Sequence, residues 1–117
     1  MTGRSGSVHT TSTRGPTSWK VTEVADLRRD RLLVLHGELD IATAPELDEM
    51  LHRFRRQRHA VALDLAEVTF MDSSGLTTLM DAHLAAENNG WSFEIRRASP
   101  AVRRVFDLAG VGRLLGE

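Results

Sequence analysis

Apolar residues recur along the chain with two different periods, and the switches between them divide residues 19–115 into alternating elements. Trp19, Val21, Val24 and Leu27 alternate imperfectly with polar neighbours, which predicts a first strand. Arg28 to Arg31, with Asp30 inside, reads as a short polar turn. Leu32-Leu33-Val34-Leu35 is an unbroken apolar run, the pattern of a strand buried on both faces, and so short a turn pairs it antiparallel with the first. Leu47, Met50, Leu51 and Phe54 follow at i, i+3, i+4, i+7, predicting a helix to about Arg58 with His52, Arg53, Arg55, Arg56 and Gln57 on its outer side. Thr43 with Glu46 three residues on forms a capping box at its start, and Pro45 sits in the first turn, where its missing N–H costs nothing.

A second two-sided apolar strand, Ala60 to Leu65, reaches Val68 and Phe70 after the polar step Ala66-Glu67. The next helix begins near Ser73, carries Leu76, Leu79, Met80 and Leu84 inward and ends at Asn88-Asn89-Gly90, with Gly90 suited to a left-handed cap. Trp91, Phe93 and Ile95 alternate with polar residues as a half-buried strand. Ser99-Pro100 opens a third helix striped by Val102, Val105, Phe106 and Ala109; Gly110 stops it, and Val111 to Leu115 is long enough only for a final turn. The order β-β-α-β-α-β-α predicts one α/β domain, a mainly parallel central sheet flanked by helices and joined by right-handed crossovers. Residues 1–18, mostly Ser, Thr and Gly with two Arg, lack the apolar surface that offsets ordering entropy; they are expected to form a flexible tail before a domain spanning 19–117.

At 117 residues the chain can bury one core but not two. No run of about 18 apolar residues and no apolar stretch near the start is present, so a cytoplasmic protein without membrane contact is expected. The absence of cysteine excludes disulfides, thiolate metal sites and thiol catalysis. A net charge of −1 gives no bulk case for direct nucleic-acid binding. Arg53, Arg55, Arg56 and Arg58, and again Arg96, Arg97, Arg103 and Arg104, fall on polar helix faces or loops, where solvated surface or a protein interface accounts for them.

The chemistry concentrates in residues 68–80. A strand ending delivers Asp72, Ser73, Ser74 and Gly75 to a helix N-terminus, whose free N–H groups and partial positive charge tolerate a negative group such as a phosphate. Locally, Asp72 or Ser73 is simply a helix cap. A nucleophilic serine needs a base and an oxyanion site, and Met-Asp-Ser-Ser-Gly lacks the glycine that lets a nucleophile elbow turn. One glycine and no following lysine also argue against a nucleotide-phosphate loop. None of the five histidines has metal-ligand spacing, so neither metal nor cofactor is expected. His36 precedes the Gly37 turn and could approach the serines. Glu38 and Asp40 form a polar loop expected beside Ser73, because functional loops of open α/β sheets gather at the carboxyl ends of parallel strands.

Gly37-Glu38-Leu39-Asp40 with Thr43-Ala44, then Phe70-Met71-Asp72-Ser73-Ser74-Gly75-Leu76, then Ser99-Pro100-Ala101-Val102 with Val105-Phe106 and Gly110, resembles the STAS-domain anti-sigma factor antagonists of bacterial partner switching. The resemblance runs from about Trp19 to Leu115. It implies a non-enzymatic protein that, unphosphorylated, binds an anti-sigma factor serine kinase and so frees a sigma factor for transcription. Phosphorylation of the first serine, which maps to Ser73, switches it off, and a metal-dependent serine phosphatase reverses the change; local sequence leaves Ser74 open as acceptor. Asp72, Ser74 and Gly75 match the surrounding motif, and Glu38 and Asp40 match the neighbouring partner-binding loop. The alternative is a STAS scaffold that is never phosphorylated, or a subunit of a transporter or stress-signalling complex.

Overall fold

The computed structural model describes residues 6–13, 19–26 and 30–115, with residues 6–13, 25 and 26 described by their backbone alone. The expected series β-β-α-β-α-β-α is present, preceded by one more strand. The elements are β1 (Gly6–Thr13), β2 (Lys20–Asp26), β3 (Arg31–Leu39), α1 (Ala44–Arg56), β4 (Val61–Met71), α2 (Ser73–Asn89), β5 (Phe93–Ala98) and α3 (Pro100–Ala109), closed by a 3-10 turn at Gly112–Leu115. Sheet order follows chain order, β1-β2-β3-β4-β5. β1 and β2, and β2 and β3, are antiparallel, while β3, β4 and β5 run parallel.

β1 lies inside the stretch whose composition suggested a tail. A Thr-rich, β-compatible sequence there pairs its backbone with β2 as the edge strand of the sheet. The other residues read as tail, 1–5 and 14–18, lie outside the described residues, as do residue 27 of the expected first strand and residues 28 and 29 of the expected turn.

Two successive right-handed crossovers running the same way along the sheet put α1 and α2 on one face, where they touch each other. β3 therefore alternates. Leu33, Leu35 and Leu39 are fully buried, whereas Leu32 and Val34 are only half-buried, so the apolar run is not covered on both sides as its continuity suggested. Val61 to Leu65 of β4 is buried throughout.

β4 continues past Leu65 to Met71 by absorbing two extra residues against β3: Val34 pairs with Asp64 but His36 with Glu67, and Gly37 with Val68 but Glu38 with Phe70. These bulges re-phase the strand so that Leu65, Val68 and Met71 all stay inside and Phe70 is left half-exposed. β3 likewise runs through Gly37, whose φ of +102° replaces the expected turn.

The helices show where periodicity misled. α1 buries Leu47, Met50, Leu51 and Phe54 as expected. In α2 the inward face is Gly75, Thr78, Leu79, Ala82 and Ala85; Leu76 and Met80 are half-buried and Leu84 is 47% exposed. Small residues let α2 approach its neighbours closely, which turns Leu84 outward. In α3 Val102 and Phe106 are fully buried, Val105 is half-buried and Ala109 exposed. Trp91 precedes β5 rather than starting it, and its indole N–H donates to the His59 carbonyl at 2.7 Å. Among the described residues no helix is long and apolar enough to cross a membrane.

Candidate functional site

The last residues of β3 and β4 and the first turns of α1 and α2 meet at the carboxyl end of the parallel strands. β4 ends at Met71, and the Asp72 N–H then donates to the Leu39 carbonyl at 3.3 Å, which fixes the chain as it leaves the sheet. Asp72 is extended, and its carboxylate accepts from the backbone N–H of Ser74 at 2.8 Å and of Gly75 at 3.2 Å. Asp72, not Ser73, is thus the cap of α2.

Capping by Asp72 leaves Ser73 as the first helical residue. Ser73 is exposed, and among the described residues no hydrogen bond holds its hydroxyl. Ser74 is half-buried, and its carbonyl takes the Thr78 hydroxyl at 3.2 Å. Gly75 is buried against Leu39 and Met71.

The loop beside them is built differently from its expected form. The Thr43 hydroxyl makes no capping bond to α1; it accepts from the Asp40 N–H at 2.9 Å and donates to the Glu38 carbonyl at 2.7 Å. Asp40 takes over, its carboxylate accepting from the N–H groups of Ala42 at 2.9 Å and Thr43 at 3.2 Å. An Asx-type turn has outcompeted the capping box. It throws Ile41 outward to 76% exposure.

Between the starts of α1 and α2 lies an open groove of about 450 Å³, bordered by Ile41, Asp48, Ser73, Ser74, Thr77 and Asp81 among others. Its charged residues are both acidic. Glu38 and Asp40 stand outside it: Glu38 pairs in register with Phe70, and Asp40 is turned into its own loop. Sequence reasoning missed Ile41, Asp48 and Asp81. An isolated isoleucine in a polar loop was a usable signal; Asp48 and Asp81 read as ordinary outer-face residues until the two helices are set side by side.

Among the described residues no histidine serves the serines. His52 engages Asp48, His83 engages Glu87, and His36 stands beside Asp64 rather than approaching Ser73. Among the described residues no group of three or more His, Asp or Glu is placed to hold a metal ion.

Away from this end, Asp64 is a buried carboxylate in the middle of β4. Burial alone would push its carboxyl up. Hydrogen bonds from Arg97, at 3.0 Å from Nε and again from its terminal nitrogen, and from the Ala66 N–H, with the neighbouring charges of Arg97 and His36, hold it below the ordinary carboxylate range.

The family model described as Mlab, STAS domain, matches residues 23–116. The chain belongs to the STAS-domain family. Within that family it stands with the anti-sigma factor antagonists. An anti-sigma-B factor antagonist of Staphylococcus epidermidis is 38% identical over 80 residues, which is 68% of this chain and 74% of that protein. The corresponding Staphylococcus aureus protein is 32% identical over 80 residues, with the same coverage. Among solved structures, the anti-sigma factor antagonist SpoIIAA in its unphosphorylated form superposes with a TM-score of 0.66 at 20% identity, covering 93% of this STAS domain chain and 85% of that one. An anti-sigma factor antagonist from Mycobacterium paratuberculosis gives a TM-score of 0.63 at 23% identity, covering 95% and 83%. These structural likenesses speak to the fold.

Proposed function

We propose that this STAS domain is a non-enzymatic phospho-switch: unphosphorylated, it binds an anti-sigma factor that is a serine kinase, and phosphorylation of Ser73 releases it. The observation that carries the reading is the Ser73 hydroxyl, exposed and unengaged among the described residues, at the head of α2 and on the rim of the acidic groove. Its half-buried neighbour Ser74 is the poorer acceptor for a kinase.

The physics of the switch follows from the cap. Asp72 already occupies the N–H groups of Ser74 and Gly75, so a phosphate on Ser73 cannot replace it there without displacing a carboxylate. The added charge of about −1.5 to −2 projects toward the groove, beside Asp72, Asp48 and Asp81. A partner surface seated on an uncharged hydroxyl then has to desolvate a phosphate amid carboxylates, and binding is lost while the fold persists. In support, the SpoIIAA fold is known in an unphosphorylated and a phosphorylated form, with TM-scores of 0.66 and 0.62 to this chain.

Incubation with ATP and the anti-sigma kinase is expected to add about 80 Da, one phosphoryl group, to the parent and nothing to Ser73→Ala. A metal-dependent serine phosphatase removes it. Ser73→Ala retains partner binding, and Ser73→Asp keeps its circular dichroism spectrum but loses binding. Phosphate incorporation in Ser73→Ala but not in Ser74→Ala moves the site by one residue; no incorporation in any form leaves the unphosphorylated scaffold.

A further inference from the structure

The layer formed by α1 and α2 carries opposite charge at its two ends. Both helices start at the carboxyl end of the parallel strands and run the same way. At their starts lies the groove of Ser73, whose charged lining residues, Asp48 and Asp81, are acidic. At their ends a concavity of about 420 Å³ is bordered by Arg55, Arg56 and Arg58 with Trp91, and no acidic residue lines it. A smaller cleft of about 200 Å³ joins the two, sharing Asp48 and Asp81 with the first and Arg55 and Trp91 with the second. Among the described residues neither Asp81 nor any of the three arginines has an ion-pair partner. A chain of net charge −1 thus presents one furrow with an anionic head and a cationic tail.

The backbone marks the cationic tail independently. α2 and α3 each end in the left-handed conformation on a glycine, Gly90 and Gly110, both at φ +72°, whereas α1 ends the same way at φ +60° on Arg58. The helix dipole explains cations in the last turn of α1. It does not explain an arginine beyond that turn, in a conformation that glycine or asparagine adopts more cheaply.

We infer that two copies of this chain pair through this layer about a two-fold axis, so that Arg55, Arg56 and Arg58 of each copy face the Ser73 groove of the other, and that phosphorylation of Ser73 tightens the pair. The last clause rests on the phospho-switch reading given above; the pairing itself does not. A two-fold axis across two parallel helices sets their starts against the ends of their mates. Each acidic groove then meets an arginine cluster, twice over, and any parallel pairing sets like charges together. The same operation brings Ile41, 76% exposed, toward the half-buried Trp91 of the other copy. α2 has 17 residues, about 25 Å of helix, and two helices side by side are about 20 Å wide, so the layer offers about 500 Å² per copy. That area is at the low end for specific contacts, and the pair is reversible. A phosphate on Ser73, set among carboxylates in its own copy, finds in the facing arginines the planar forks that match its oxygens bidentately. The pair also covers the groove, which withholds phosphorylated copies from the anti-sigma factor.

Analytical ultracentrifugation of the full chain tests the inference on the parent, Ser73→Asp, Arg55→Glu/Arg56→Glu and Asp48→Arg/Asp81→Arg. The parent is expected to form a dimer that about 0.5 M salt disperses. Ser73→Asp is expected to dimerise about tenfold more tightly, the worth of one added charge contact, and the phosphorylated chain at least as tightly. Each charge-reversed variant alone is expected to be monomeric, and an equimolar mixture of the two to dimerise, a restoration that misfolding cannot mimic. The inference is overturned if the parent and Ser73→Asp both stay monomeric at about millimolar concentration, where a contact this small should show. Equal dimer constants for those two, a mixture of reversed variants that stays monomeric, or growth beyond two copies, the mark of a head-to-tail contact, overturns it as well. None of these arms needs a kinase, so a kinase that leaves Ser73 unmodified defeats the phospho-switch reading alone.

Discussion

Gly75 and Leu39 are so close that a Cβ on Gly75 would lie 2.8 Å from both the Cγ and the carbonyl oxygen of Leu39. That carbonyl cannot swing aside, because it accepts the Asp72 N–H. The first turn of α2 is thereby set against the end of β3, on the side where Ile41 borders one groove with Ser73 and Ser74. Gly75→Ala is expected to lower stability by about 1–3 kcal/mol, the cost of overpacking. Urea unfolding measures it. Gly112→Ala is the control: a Cβ there meets nothing within 4 Å, and its change should stay within about 0.5 kcal/mol.

Asp72 has two separable roles. As the cap of α2 it accepts two backbone N–H groups, so Asp72→Ala is expected to cost about 1 kcal/mol. Asn caps nearly as well as Asp, so Asp72→Asn should keep most of that stability while removing a negative charge beside Ser73. Thermal melts of the two variants separate hydrogen bonding from charge: equal losses would show that the carboxylate's charge, not its geometry, holds the helix start.

Asp64 sets a pH dependence whose sign follows from its surroundings. Its folded-state carboxyl is held below the ordinary value of about 3.9, so its stabilising contribution is full above that value. The contribution is lost as pH falls through the lower, folded-state value. In Arg97→Gln the hydrogen bond and the charge go, and burial then pushes the carboxyl up. The variant should be less stable than the parent at pH 7, though only modestly, because Arg97 is 67% exposed and solvent-screened. The gap should narrow below about pH 4, where Asp64 is protonated in the unfolded chain. Denaturant titrations from pH 3 to 8 would falsify this by showing a gap that is constant or widens in acid.

Ile41 is 76% exposed, and removing it should leave stability within about 0.5 kcal/mol of the parent. If the groove is the partner surface, an apolar side chain standing beside Ser73 is its natural anchor. Ile41→Ser is then expected to weaken anti-sigma factor binding tenfold or more, as loss of an interface anchor of about 2 kcal/mol does. Calorimetry against the anti-sigma factor reads this directly, and an unchanged affinity would place the partner elsewhere.

Element order, the starts of α2 and α3, and the glycine closures at Gly90 and Gly110 were legible in sequence, because a cap or a positive φ is a local matter. So was the clustering of Asp72, Ser73, Ser74 and Gly75 at a helix terminus. The capping box was not, because Thr43 found better partners in Asp40 and Glu38, a competition between two local hydrogen-bonding schemes that spacing cannot rank. Helical period assigns Leu84 to the core, and the unbroken apolar run assigns Leu32 to it, yet Leu84 is exposed and Leu32 only half-buried. Period reports which side of an element is apolar, but not what covers that side or how closely.

By itself, then, the sequence determined the alternation of strands and helices, the family to which they belong and the serine that heads α2, all consequences of interactions within a few residues. The tertiary structure alone decided the two bulges that keep Val68 and Met71 inside, the approach of Leu39 to Gly75, and the groove that joins Ile41, Asp48 and Asp81 to Ser73. It also gathered Arg55, Arg56 and Arg58 around Trp91. Each of these depends on which segments lie side by side in the sheet and on how far apart α1 and α2 sit, and packing between distant segments sets both.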